Sequence, residues 1–222
     1  MRFLYLYLTT LLLLPGVLLA DDPAPAATPV AAPSPAAALY QQDCAKLTPD
    51  AELPDELLVL SGQFRVTQVG EDRCLEVAAK ELDDFGLLFG PHRTGPTEVS
   101  ARIRAASQGR RMPRFGVGLG GAGGWRLLLV PVRKQLQLWL DQEVVASVPC
   151  TWESGTFYHL RLRLSQVAEG QWRLDGQAWP AGQERPANWQ LSHETRETPP
   201  EGMCAVFGAP YSGLPIQFND LT

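Results

Sequence analysis

Excess positive charge is missing from this chain. Its 19 Lys and Arg face 24 Asp and Glu, a formal charge of −5, so the basic footprint of a nucleic-acid-binding domain is absent. Helical periodicity is nearly missing beyond residue 40, which excludes a bundle. The four cysteines, Cys44, Cys74, Cys150 and Cys204, include no closely spaced pair, so a structural zinc site has no ligand motif. No Gly-x-Ser-x-Gly elbow occurs, and His92, His159 and His193 are far apart, so a nucleophile-and-base hydrolase has no signature. The run Gly118 to Gly124, GLGGAGG, lacks the Lys-Ser/Thr of a phosphate loop and precedes a strand rather than a helix.

What is present begins with an export pattern. Met1 to Ala20 carries one early charge, Arg2, and then an apolar run before Asp21 and Asp22, the pattern of a secretory signal peptide. Cleavage after Ala20 puts Leu18 where a small residue is expected, so sites near Ala24, Ala26 or Ala27 stay open. An uncleaved segment would be a membrane anchor, although Pro15 and Gly16 break the run. Residues 21 to 39 are almost wholly Pro, Ala, Ser and Thr and read as an extended linker. Residues 40 to 222 then form one domain. The expected location is secreted, periplasmic or cell envelope, with membrane attachment only through an uncleaved signal. An even cysteine count in an exported chain argues for two disulfides. Three pairings are open; Cys44 with Cys74 and Cys150 with Cys204 is favoured, because the first ties the domain's lead to its sheet.

The domain is organised around Thr151 to Gln190. Tyr158, Leu160, Leu162 and Leu164 alternate with Phe157, His159, Arg161 and Arg163, and Trp172, Leu174 and Ala178 alternate with Arg173, Asp175 and Gln177. A period of two with one polar phase marks antiparallel strands buried on one side. About a dozen such strands follow from Gly62 to Leu221, one of them, Phe85 to Phe89, stopped by Gly90 and Pro91. The expected fold is all-β, a two-sheet antiparallel jelly-roll sandwich.

Four phrases carry a resemblance: LWLDQEVVASV, TWESGTFYHLRLRL, GQAWPAGQERPANWQ and the closing PIQFNDLT. Together they resemble the concanavalin A-like lectin and glucanase superfamily, in particular its laminin G-like and 3-keto-disaccharide hydrolase domains. That resemblance implies the same jelly roll. Its glucanase members are similar in carrying a Glu-x-Asp-x-Glu strand whose carboxylates act as nucleophile and acid. No such strand exists here, and Glu71 with Asp72, Glu81 with Asp83 and Asp84, and Asp141 with Glu143 sit at turns. Laminin G-like relatives often hold calcium, for which Asp83, Asp84, Asn219 and Asp220 would be the oxygen donors; no other cofactor is implied.

Binding residues are sought on the wet phases. Gln135, Gln137 and Trp139 share one strand face, an aromatic plane flanked by amides that suits a sugar ring. On the same side of other strands, Arg102, Arg104, His159, Arg161, Arg163, Arg173 and Asp175 would make a basic face with Trp139 if their strands are neighbours, and Arg forks hold carboxylate or sulfate. Cross-strand ion pairing is the plainer use of the same residues. Trp152, Trp172, Trp179 and Trp189 are expected to cap the core. The function expected is non-catalytic recognition of carbohydrate or another surface polymer, anionic ones included. A glycoside-directed hydrolase or lyase of the keto-disaccharide type, and an envelope scaffold, stay open.

Overall fold

Strands that alternate, such as β5 and β10, bury one side only, and two sheets facing each other satisfy that demand. The computed structural model describes residues 38–79 and 83–222; the expected signal peptide and nearly all of the linker lie outside them. Among the described residues fourteen strands follow in order: β1 Leu58–Ser61, β2 Phe64–Val69, β3 Asp72–Val77, β4 Phe85–Arg93, β5 Thr97–Arg104, β6 Arg114–Leu119, β7 Trp125–Val130, β8 Gln135–Leu140, β9 Glu143–Pro149, β10 Phe157–Ala168, β11 Gln171–Pro180, β12 Leu191–Thr195, β13 Gly202–Ala209 and β14 Ile216–Asn219. The first sheet has the order β1-β4-β13-β6-β7-β8-β9 and the second β12-β11-β10-β5-β14-β3-β2. All pairings are antiparallel. This is the expected jelly-roll sandwich.

The core lies between the sheets. Leu127, Leu129, Leu136 and Leu138 of the first meet Ile103, Leu160, Leu162 and Leu174 of the second, all fully buried. The alternation read for β10 and β11 holds residue by residue, with Leu160 opposite Ala178 and Leu164 opposite Leu174.

Several expectations are corrected. Strands β1 and β12 are not among those the alternation marks: the LVLS of β1 is apolar without alternation, and the LSHET of β12 is a polar edge. Strand β4 does not stop at Gly90 but runs on to Arg93. Gly90 takes φ +72, and a register shift in β13 between Gly202 and Cys204 absorbs the irregularity.

All four cysteines are free thiols rather than two disulfides. Cys204 lies on β13, and Cys150 follows β9, four strands away in the same sheet. At about 4.8 Å per strand that is roughly 19 Å, against the 7 Å or so that a disulfide tolerates between Cα atoms. Cys44 and Cys74 are fully buried. Burial pushes their thiols up to about 12 and about 11 respectively, so both stay protonated as small core-filling groups.

The glycine-rich stretch serves packing. A Cβ on Gly118 would lie 2.6 Å from the Phe207 ring and 2.8 Å from the Trp125 carbonyl oxygen, and one on Gly120 would lie 2.7 Å from the Pro200 carbonyl oxygen. Side chains are excluded there by neighbouring chain rather than by a ligand. Gly118→Ala is therefore expected to lower unfolding free energy by about 1–3 kcal/mol, the cost of overpacking, in place of the small gain that removing a flexible glycine otherwise brings. Urea denaturation with an unchanged m-value measures it.

Candidate functional site

The outer face of the second sheet is built by register. Trp179 lies opposite His159 and His159 opposite Arg102, while Gln177 faces Arg161 and Asp175 faces Arg163. The expected neighbourhood of β5, β10 and β11 is therefore present. Gln135, Gln137 and Trp139 are not part of it, because β8 belongs to the first sheet. The two groups of sequence-predicted residues lie on opposite outer faces of the sandwich.

The arginines of this face are committed internally. Arg161 grips Glu98 with two bonds of 2.6 and 2.7 Å. Arg163 and Arg173 reach Asp175 Oδ2 at 2.7 and 3.3 Å, and the Ser192 hydroxyl donates to Asp175 Oδ1 at 2.7 Å. Arg102 bonds Asp220 at 2.7 Å and Asp72 at 3.0 Å. Arg104 donates to the Gly155 carbonyl at 2.8 Å and to Gln217 Oε1 at 3.4 Å. Burial pushes the Asp175 carboxyl up, but Arg163, Ser192 and Arg173 outweigh it and hold the group below its ordinary value. Cross-strand pairing thus accounts for the basic phase.

The amides beside Trp139 are equally occupied. The Trp139 indole donates to Gln137 Oε1 at 3.1 Å, and Gln137 Nε2 donates to Gln135 Oε1 at 2.7 Å. The Arg114 guanidinium lies over the Trp139 ring at 5.3 Å.

Trp179 and Trp189 correct the expectation that they cap the core. Trp179 stacks on His159, with ring centroids 5.0 Å apart and planes at 21°, on the phase shared by Gln177 and Asp175. Trp189 lies beneath the Arg161 and Arg163 guanidinium groups at 4.9 and 4.5 Å. Trp172 and Trp152 do pack against the core.

The segment after β11 is fastened to this face. Gln177, 2% exposed, donates both amide hydrogens, to the Pro186 carbonyl at 2.9 Å and the Asn188 carbonyl at 2.8 Å. The Ala181 N–H donates to the Phe157 carbonyl at 2.7 Å, and the Ala178 N–H to Gln190 Oε1 at 2.7 Å. Opposite it the chain crosses from the first sheet to the second. There the Glu153 N–H donates to the Tyr158 hydroxyl at 3.1 Å, and Trp152 meets Phe115 at 6.3 Å.

Between crossover and fastened loop lies a cavity of about 480 Å³ whose lining includes Trp152, Tyr158, Trp179, Glu153, Gln183 and Glu184. The side chains of Glu153, Gln183 and Glu184 have no hydrogen bond or ion pair among the described residues. This cavity was not foreseen. A second, of about 590 Å³, opens between the edges of β9 and β12, where Trp125 is the one aromatic besides His193, 5.8 Å from it.

The expected calcium donors do not come together. Asp84 pairs with Arg114 and Asp220 with Arg102. Asn219 Oδ1 accepts from the Asp220 N–H at 2.9 Å, and Asp83 Oδ1 from the Asp84 N–H at 2.7 Å. Among the described residues no group of three or more His, Cys, Asp or Glu side chains is placed to hold a metal ion.

No family model matches the chain, and no curated protein sequence matches it. Solved structures do. The carbohydrate recognition domain of Emp47p aligns at 11% identity with a TM-score of 0.53, over 82% of this chain and 93% of its own. That of Emp46p, in metal-free form, aligns at 12% identity with a TM-score of 0.51, over 82% and 95%. The carbohydrate binding module CBM66 from Bacillus subtilis aligns at 9% identity with a TM-score of 0.48, over 75% and 94%. The likeness is one of fold, and the chain has the concanavalin A-like jelly roll.

Burial pushes the His159 pKa down and Arg102 adds to the effect, against Asp220. A folded pKa below the ordinary value of about 6.5 leaves the associated stability complete above that pH. It is lost as pH falls, because the unfolded chain binds the proton first. Unfolding free energy measured from pH 7.5 to pH 5 is expected to decline in the wild type, and the decline should be shallower in His159→Gln.

Proposed function

We propose that this chain is an exported, non-catalytic carbohydrate-recognition domain whose saccharide enters the 480 Å³ cavity between the β9–β10 crossover and the β11–β12 loop. The observation that carries the reading is the composition of that lining. Trp152, Tyr158 and Trp179 supply aromatic surface, while Glu153, Gln183 and Glu184 are exposed residues whose side chains have no hydrogen-bond or ion-pair partner among the described residues. A sugar asks for both: a flat apolar wall for its C–H faces and planar acceptors and donors for its hydroxyls. The volume lies within the range of roughly 300–1,000 Å³ typical of ligand pockets. Two solved structures of this fold are named carbohydrate recognition domains, which supports the reading. The export pattern at Met1 to Ala20 supports action outside the cytoplasm.

The cavity lining also holds two carboxylates, Glu153 and Glu184, which is the one observation favouring a glycoside-directed hydrolase. Incubation with the glycan that binds separates the readings, since a recognition domain returns it intact.

A glycan-array screen followed by calorimetry tests the proposal. Trp179→Ala is expected to weaken the bound glycan at least about tenfold, equivalent to about 1.4 kcal/mol, and Glu184→Gln to weaken it without loss of thermal stability. Arg65→Gln, on β2 and outside the cavity lining, should leave affinity unchanged. Silence across neutral and charged glycans would overturn the reading in favour of an envelope scaffold.

A further inference from the structure

The outer face of the first sheet is apolar where a solvated antiparallel face is normally polar. Leu128, Val130, Ala205 and Phe207 form a buried cluster separate from the main core, with Leu88 and Trp139 against it. Beside it the edge strand β1 exposes Leu58 and Leu60 at 48% and 41%. Gly86 and Gly118 leave room for the Phe207 ring to lie along the sheet.

Two arginines lie on this ground. Arg114 pairs with Asp84 and sits 5.3 Å from the Trp139 ring and 5.7 Å from the Tyr211 ring. Arg126 stacks on Phe207 at 4.2 Å and donates from Nη2 to the Ala122 carbonyl at 2.7 Å. Its Nε is buried without a partner, and no carboxylate pairs with it among the described residues. The contrast with the second sheet is sharp: there Arg65, Arg102, Arg161, Arg163 and Arg173 each hold a carboxylate, and Arg104 bonds two oxygens.

A half-buried cation without a counterion is costly. Burial pushes the Arg126 pKa down, with Asp84 and Asp141 opposing and Arg114 reinforcing it. An anion brought from outside would relieve that cost, and the guanidinium over the Phe207 ring keeps Nη N–H groups beyond the one given to Ala122 to offer an oxyanion. Trp139 beside it offers the surface a sugar ring stacks on.

We infer that Arg126, with Arg114, Trp139 and Phe207, forms a second binding site on the first sheet, for the carboxylate or sulfate group of an acidic saccharide. It lies across the sandwich from the end cavity and does not depend on it. The protein's net charge of −5 repels polyanions overall, so such binding would be the work of a local site.

The test uses the full chain against immobilised dextran sulfate and polygalacturonate at low salt, with uncharged dextran and poly-glutamate as comparisons. Wild type is expected to bind one or both acidic polysaccharides in a salt-sensitive manner and to ignore dextran and poly-glutamate. Arg126→Gln should lose at least about tenfold in affinity, a change of about 1.4 kcal/mol, and Arg126→Lys, which lacks the fork, should not restore it. Thermal unfolding without ligand keeps the result interpretable, since Arg126→Gln should melt no lower than wild type. Arg65→Gln, on the other sheet, should bind as wild type does. No binding to either acidic polysaccharide, an equal loss in Arg65→Gln, or equal binding of poly-glutamate would each overturn the inference.

Discussion

The ion pairs that cross β5, β10 and β11, Arg161 with Glu98 and Arg163 with Asp175, are the interaction on which the rest of this outer face depends. They hold two guanidinium groups over the Trp189 ring. Trp189 in turn lies in the segment that Gln177 fastens through the Pro186 and Asn188 carbonyls. The β11–β12 loop is thereby a fixed wall, and a fixed wall is what gives the end cavity a shape in the absence of ligand. Such pre-formation lowers the ordering cost of binding.

The arginines consequently have a different role on each face. On the second sheet they are matched by carboxylates, of which Asp175 is 2% exposed, so their contribution is architectural. On the first sheet Arg126, over Phe207, has no carboxylate partner among the described residues, and the proposed second site rests on that imbalance. The two proposed sites face different chemistry: the cavity offers carboxylates and amides to hydroxyls, and the first sheet offers cation to acid. A polymer carrying both neutral and acidic sugars could engage a domain of this kind at two points, with the gain in effective concentration that multivalency brings.

Much of the fold was legible because a half-buried strand writes its environment into every second residue. Leu160, Leu162 and Leu164 against His159, Arg161 and Arg163 needed no further context, and Trp179 could have been placed by the same rule, since it shares the phase of Gln177 and Asp175. Strand β1 was hidden because LVLS has no alternation to read, and β12 because a short edge strand carries polar residues on both sides. Strand order was not legible at all. The phase of Gln135, Gln137 and Trp139 is correct within β8, yet nothing local to those residues says which sheet receives β8, so residues of two opposite faces were read together. The pairing of each arginine is a matter of register, which depends on both partners, and the cavity depends on a loop fastened through Gln177, Gln190 and the Ala181 N–H.

The most direct test of the central claim, that a saccharide occupies the end cavity, is an indole ¹⁵N–¹H spectrum of the six tryptophans recorded while a bound neutral glycan is titrated. The account predicts that the Trp179 and Trp152 resonances move with a common saturation curve while that of Trp125, enclosed in the core, stays still. Movement of Trp139 alone, with Trp179 and Trp152 unchanged, would contradict it and put the saccharide on the first sheet instead.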